Sequence, residues 1–123
     1  MCFDNAWTND ILLIMTYFRP LALDATENFL RNFVQPGHVI FDVGANIGQS
    51  ALVAAGLAGP LGRVISFEPN PAAFRGLAAA ARTSGYSNIT LVQKALSDRT
   101  GTFDFFLDTR EEYRCGKFVA GTR

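Results

Sequence analysis

Val39-Ile40-Phe41-Asp42-Val43-Gly44-Ala45-Asn46-Ile47-Gly48 is the stretch on which the fold turns. Its first five residues are a short, nearly continuous apolar run behind Pro36-Gly37, the pattern of a strand covered on both faces in a parallel sheet. Gly44 to Gly48 is a glycine loop. Beyond it Ile47, Ala51, Ala54, Ala55 and Ala58 fall on one helical face, where small side chains allow close approach to a sheet, and Gly59-Pro60 ends the helix. Upstream, Asp24-Ala25-Thr26-Glu27 reads as a capping box, and Phe29, Leu30, Phe33 and Val34 repeat on one face before Pro36-Gly37 stops the helix.

Downstream the order repeats. Arg63 to Phe67 reads as a second strand ending at Glu68; Asn70 caps a helix with Pro71 at its first position; Phe74, Leu77, Ala78 and Ala81 form the inner face; and the helix closes near Gly85. Ile89 to Val92 is a third strand. Thr102 to Leu107, after the turn at 97–101, has Phe103, Phe105 and Leu107 alternating with Asp104 and Phe106 and reads as a last strand, paired with the third as a hairpin. Strand and helix in alternation, with short connections, predict right-handed crossovers and an α/β fold with a Rossmann-like, doubly wound, mostly parallel sheet. The domain reading is residues 24–107, with 1–23 as an N-terminal arm or short helix and 108–123 as a charged tail without a pattern.

Composition narrows the function. The 123 residues are 49% hydrophobic and carry 11 basic and 11 acidic side chains, so a single globular domain is expected and no basic footprint for nucleic acid or an acidic membrane surface is present. Ile11 to Met15 is far short of the roughly 20 residues that span a bilayer, and acidic residues precede it, so neither a signal peptide nor a membrane span is read there. Cys2 and Cys115 stand at opposite ends, with no metal-knuckle or redox-pair spacing, which suits a reducing, cytoplasmic setting and no metal. His38, the one histidine, reads as a surface turn residue.

The chemistry is expected where the first strand delivers its glycine loop, because ligands of open α/β sheets bind outside the carboxyl ends of the strands. Gly44 and Gly48 permit close approach to the main chain, and the helix beyond them offers unpaired N–H groups to an anionic group. A dinucleotide loop needs G-x-G-x-x-G, but Asn46 stands where its second glycine should be, which disfavours a pyrophosphate. Glu68, 24 positions past Gly44 and at the end of the second strand, can accept from both hydroxyls of a ribose, a need shared by all adenosine cofactors. An NAD(P)-binding oxidoreductase domain and a non-catalytic remnant remain the alternatives at this point.

Phe41-Asp42-Val43-Gly44-Ala45-Asn46-Ile47-Gly48 resembles the first motif of the FkbM family of S-adenosylmethionine-dependent methyltransferases, and Phe67-Glu68-Pro69-Asn70-Pro71 resembles its second. Val92 to Asp98 is similar to the segment after the third strand in that family. The resemblance implies S-adenosylmethionine as cofactor, with Asp42, Gly44, Ala45, Asn46 and Gly48 at its methionine part, Glu68 on the ribose, and Asn70 with Lys94-Ala95 near adenine. It also implies O-methylation of a hydroxyl on a small molecule or sugar.

The family continues with a central strand bearing a Lys-x-Asp-x-Glu-Gly pattern, which nothing after Leu107 resembles. The sequence therefore reads as truncated after three βα units and a hairpin strand, as a cofactor-binding half whose uncovered sheet edge invites self-association. No catalytic residue is assigned; Asp98, Asp104, Glu111 and Glu112 read as solvated charges.

Overall fold

A computed structural model describes residues 24–102, 104–107 and 116–118. The readings of 1–23, Cys2, Cys115, Glu111 and Glu112 lie outside them. The elements are α1 (Asp24–Phe33), β1 (Val39–Val43), α2 (Gln49–Ala58), β2 (Arg63–Phe67), α3 (Pro71–Ser84), β3 (Ile89–Val92), β4 (Phe105–Leu107) and β5 (Gly116–Phe118). The strands β1, β2 and β3 form a parallel sheet in sequence order.

Each crossover carries the chain one strand further in the same direction. Right-handed connections of that kind set α2 and α3 on one face of the sheet. The core lies there: Ala51, Ala54 and Ala55 of α2, Val64 of β2 and Leu77 of α3 form one buried cluster with Leu30 of α1 and Ala45 of the loop. The opposite face of β1 is open among the described residues, with Val39 61%, Phe41 65% and Val43 61% exposed. This corrects the expectation of a strand covered on both faces, since both helices that these crossovers supply pack on the same side.

The helix ends follow the predicted punctuation. Asn70 Oδ1 accepts from the Ala72 and Ala73 N–H groups at 2.9 and 3.5 Å, Pro71 begins α3, and Gly85 leaves it in the left-handed region. At the far end of α2, Asn88 Nδ2 donates to the carbonyls of Ala55 (3.0 Å) and Gly59 (2.9 Å), each of which also accepts a main-chain N–H, from Gly59 and Gly62 respectively. His38 is an exposed turn residue whose Nδ1 accepts from the Gln35 N–H.

Three apolar readings shift. In α1 Leu30 is the buried residue among those described, while Phe29 and Phe33 pack against each other as a tilted ring pair, centroids 4.6 Å apart, on the exposed side. In α3 the buried stripe is Ala73, Gly76, Leu77 and Ala80, with Phe74, Ala78 and Ala81 on its flank. The last strand begins at Phe105 and not at Thr102. It pairs antiparallel with Gly116–Phe118 in a separate sheet, not with β3. Among the described residues no helix is long and apolar enough to cross a membrane.

Candidate functional site

The parallel strands β1 and β2 end side by side, and the loops that leave them are tied together by main-chain bonds. The N–H groups of Gly44 and Ala45 both donate to the Phe67 carbonyl, at 2.9 and 3.0 Å. Gly44 has φ 80° and open space where a Cβ would project, so its surface is bare main chain that a ligand can reach. Gly48 has φ 98°, and a Cβ there would lie 2.9 Å from Leu77 Cδ1, so this glycine lets the start of α2 approach α3. Between them Asn46 is left-handed at φ 51°, a conformation asparagine tolerates better than most residues.

Glu68 is the joint between the two loops. Its Oε2 accepts from the Asn46 N–H at 2.8 Å and its Oε1 from the Asn70 N–H at 2.8 Å, in a residue only 7% exposed. A carboxylate offers about four lone-pair positions, so two remain for a ligand's hydroxyls. Glu68 is therefore not a solvated charge ahead of the Asn70 cap.

Asp42 points to the helix-covered face at the end of β1. Ser50, in the first turn of α2, donates from Oγ to both of its oxygens, at 3.0 and 3.1 Å. Burial pushes the Asp42 carboxyl above its ordinary range; the hydroxyls of Ser50 and Ser66 pull it back down, and the neighbouring charge of Glu68 pushes up again. Ser66 is the β2 register partner of Asp42 and is fully buried. Its Oγ lies near enough to favour the aspartate's charge but lacks a hydrogen bond of full geometry.

The start of α2 adds an anion-friendly terminus: Gly48 caps it without a side chain, and its first turn carries no acidic residue. The structure thus joins Asp42, the Gly44 to Gly48 loop, Glu68 and Asn70 by direct bonds or adjacent backbone. Lys94 and Ala95 are linked less closely. They come after β3, which is attached to the site through the bond from the Glu68 N–H to the Val92 carbonyl, at 3.1 Å. Asp98 is an exposed partner of Ser97 and Arg99, and Asp104 is exposed.

Ser50 and Ser66 are the site residues that sequence reasoning passed over. Their signals were a hydroxyl in the first helical turn after the glycine loop and a lone polar residue inside the apolar run of β2. Taken together, bare main chain at Gly44, a half-buried carboxylate at Asp42 and a second carboxylate with spare acceptor capacity at Glu68 fit an adenosyl amino acid. Such a ligand would offer an ammonium, a carboxylate and a ribose diol to groups of these three kinds. Among the described residues no cluster of metal-ligating side chains is present.

The fold is shared with solved methyltransferases. A structure described as an rRNA methylase from Clostridium thermocellum is 21% identical with a TM-score of 0.57, over 60% of this chain and 40% of that one. An S-adenosylmethionine-dependent methyltransferase from Aquifex aeolicus is 16% identical with a TM-score of 0.58, over 76% and 48%. A precorrin-6y C5,15-methyltransferase from Geobacter metallireducens is 28% identical with a TM-score of 0.51, over 57% and 36%. The chain thus spans less than half the length of each. No curated protein is significantly similar to it. The model of the methyltransferase FkbM domain matches residues 42–120. With most of its length inside that match, the chain belongs to the FkbM family of S-adenosylmethionine-dependent methyltransferases.

Proposed function

We propose that this chain forms the cofactor-binding part of an O-methyltransferase, which holds S-adenosylmethionine across the carboxyl ends of β1 and β2 for transfer to a hydroxyl of a small molecule or sugar. The observation that carries the reading is the Glu68 carboxylate. It is buried and bonded to both loops, with acceptor capacity left over at the place where a ribose diol would lie.

In this reading Asp42 pairs with the ammonium of the methionine part, the Gly44 to Gly48 backbone and the start of α2 face its carboxylate, and Glu68 accepts from the ribose. Asn70 and Ala95 border the adenine. The bound donor supplies a methyl group already activated by its sulfonium. The protein's own task is to orient the donor, exclude water and admit the acceptor in line. No catalytic residue is assigned, because the exposed Asp98 and Asp104 have no part in the site. A net charge of zero favours a small or sugar acceptor over nucleic acid, and the likeness to an rRNA methylase is one of fold. A cytoplasmic setting goes with this reading, as does self-association through the edge of β1, which is unpaired among the described residues.

Isothermal calorimetry with S-adenosylhomocysteine tests it. Binding is expected for the intact chain, with loss in Glu68→Ala and in Gly44→Val, and no comparable binding of NADH. Unchanged affinity in both variants, or preference for NADH, would overturn the assignment.

A further inference from the structure

We propose that Ser50 and Ser66 are positioning residues for Asp42, clamping its carboxylate from two sides so that it meets the donor's ammonium charged and fixed in direction. The inference rests on the cofactor reading above and extends it to two side chains that act through Asp42.

Asp42 and Ser66 are adjacent across the parallel ladder, and their side chains share the face covered by α2 and α3. Among the described residues the other side chains that are as fully buried as Ser66 are all apolar: Val64 on the same strand, Ala51, Ala54, Ala55 and Ala58 on α2, and Leu77 on α3. An alanine or valine would be expected at such a position, because a buried hydroxyl without a full hydrogen bond carries a desolvation cost. Ser66 Oγ is the one buried side-chain polar atom among the described residues in that condition, and Asp42 is the group whose charge it supports.

From the opposite element, Ser50 reaches both Asp42 oxygens, which fixes the plane of the carboxylate. One hydroxyl comes from the helix and one from the sheet. They oppose two influences that favour the neutral acid: burial, and the charge of Glu68 at the end of β2, the other charged group acting on Asp42 among the described residues. Polar groups kept at a cost in an otherwise apolar layer are expected where function requires them.

The test uses the intact chain and the variants Ser50→Ala, Ser66→Ala and Ser66→Cys, each verified as folded by circular dichroism. Carbon-13 NMR tracks titration of the Asp42 carboxyl without ligand. The midpoint is expected to rise in both alanine variants, with Ser66→Cys between Ser66→Ala and the parent. Calorimetry then compares S-adenosylhomocysteine with methylthioadenosine, which lacks the ammonium and carboxylate. Ser50→Ala should bind the first about tenfold more weakly and the second equally well. An unmoved midpoint in both alanine variants overturns the proposal, and so does equal weakening for both ligands. If the parent chain binds neither ligand, the cofactor reading fails and Asp42's role toward an ammonium falls with it, while the NMR midpoints still decide whether the hydroxyls hold the carboxylate.

Discussion

Glu68 and Asp42 are carboxylates at neighbouring strand ends, yet replacing each by its amide should move stability in opposite directions. Both oxygens of Glu68 receive main-chain N–H groups. In Glu68→Gln one of those N–H groups faces an amide NH2 and loses its acceptor, at a cost of about 1–3 kcal/mol, measurable by urea denaturation. Asp42 is different, because its two acceptor bonds come from one rotatable hydroxyl and burial dominates its titration. Its carboxyl is raised above the ordinary 3.8, so the folded state holds the proton more tightly than the unfolded chain does. That contribution is complete below pH 3.8 and is lost as the pH rises through the higher folded value, which leaves the ionised side chain a burden at neutral pH. Asp42→Asn is therefore expected to melt at a higher temperature at pH 7, with a gain that shrinks toward pH 3, and to bind S-adenosylhomocysteine poorly. A lower melting temperature at pH 7 would contradict the burial argument.

At the scale of the elements, two asparagines bound the helices that frame the site. Asn70 caps the start of α3 through Ala72, and Asn88 closes the end of α2 through the Ala55 and Gly59 carbonyls. Asn70→Ala should cost about 1 kcal/mol and Asn88→Ala a similar amount. Hydrogen exchange should locate the loss in the first turn of α3 for one variant and near the end of α2 for the other; uniform loss in both would mean that the caps are not local. These elements also show what a sequence can disclose. Asn70, Pro71 and Gly85 are local signals, because capping and left-handed φ are decided within a few residues, and the structure agrees with them. Gly44 is equally local, since its type announces bare main chain, whereas the donors that Glu68 meets in the structure, the Asn46 and Asn70 N–H groups, could not be read from its type. Phe29 and Phe33 misled because helical periodicity says which residues share a face but not what covers that face. The partner of β4 was out of reach for a related reason: strand pairing is non-local, and the alternation at 102–107 carries no address. Ser66 was silent because a single serine in a strand gains meaning only from its register with Asp42.

At the scale of the molecule, the parallel sheet has two unequal faces. Leu77 is 1% exposed and meets Val64 and the α2 alanines, whereas Phe41, on the other face, is 65% exposed and touches Phe67 in a stacked pair with centroids 6.3 Å apart. Removing a buried leucine side chain forfeits its transfer free energy and leaves a cavity, about 2–5 kcal/mol. Removing a mostly exposed ring forfeits the stacking and a fraction of its area, about 1 kcal/mol. Chemical denaturation of Leu77→Ala and Phe41→Ala should therefore give unequal losses, with the leucine variant several times the more costly although phenylalanine is the larger residue. The open face should also bind a hydrophobic dye in the parent chain and bind less of it in Phe41→Ala, since Val39, Val43 and Phe41 form one exposed apolar row. If Phe41→Ala proves as costly as Leu77→Ala and the parent binds no dye, then that row is covered in solution. The core would then have two layers, as the apolar run from Val39 to Val43 first implied.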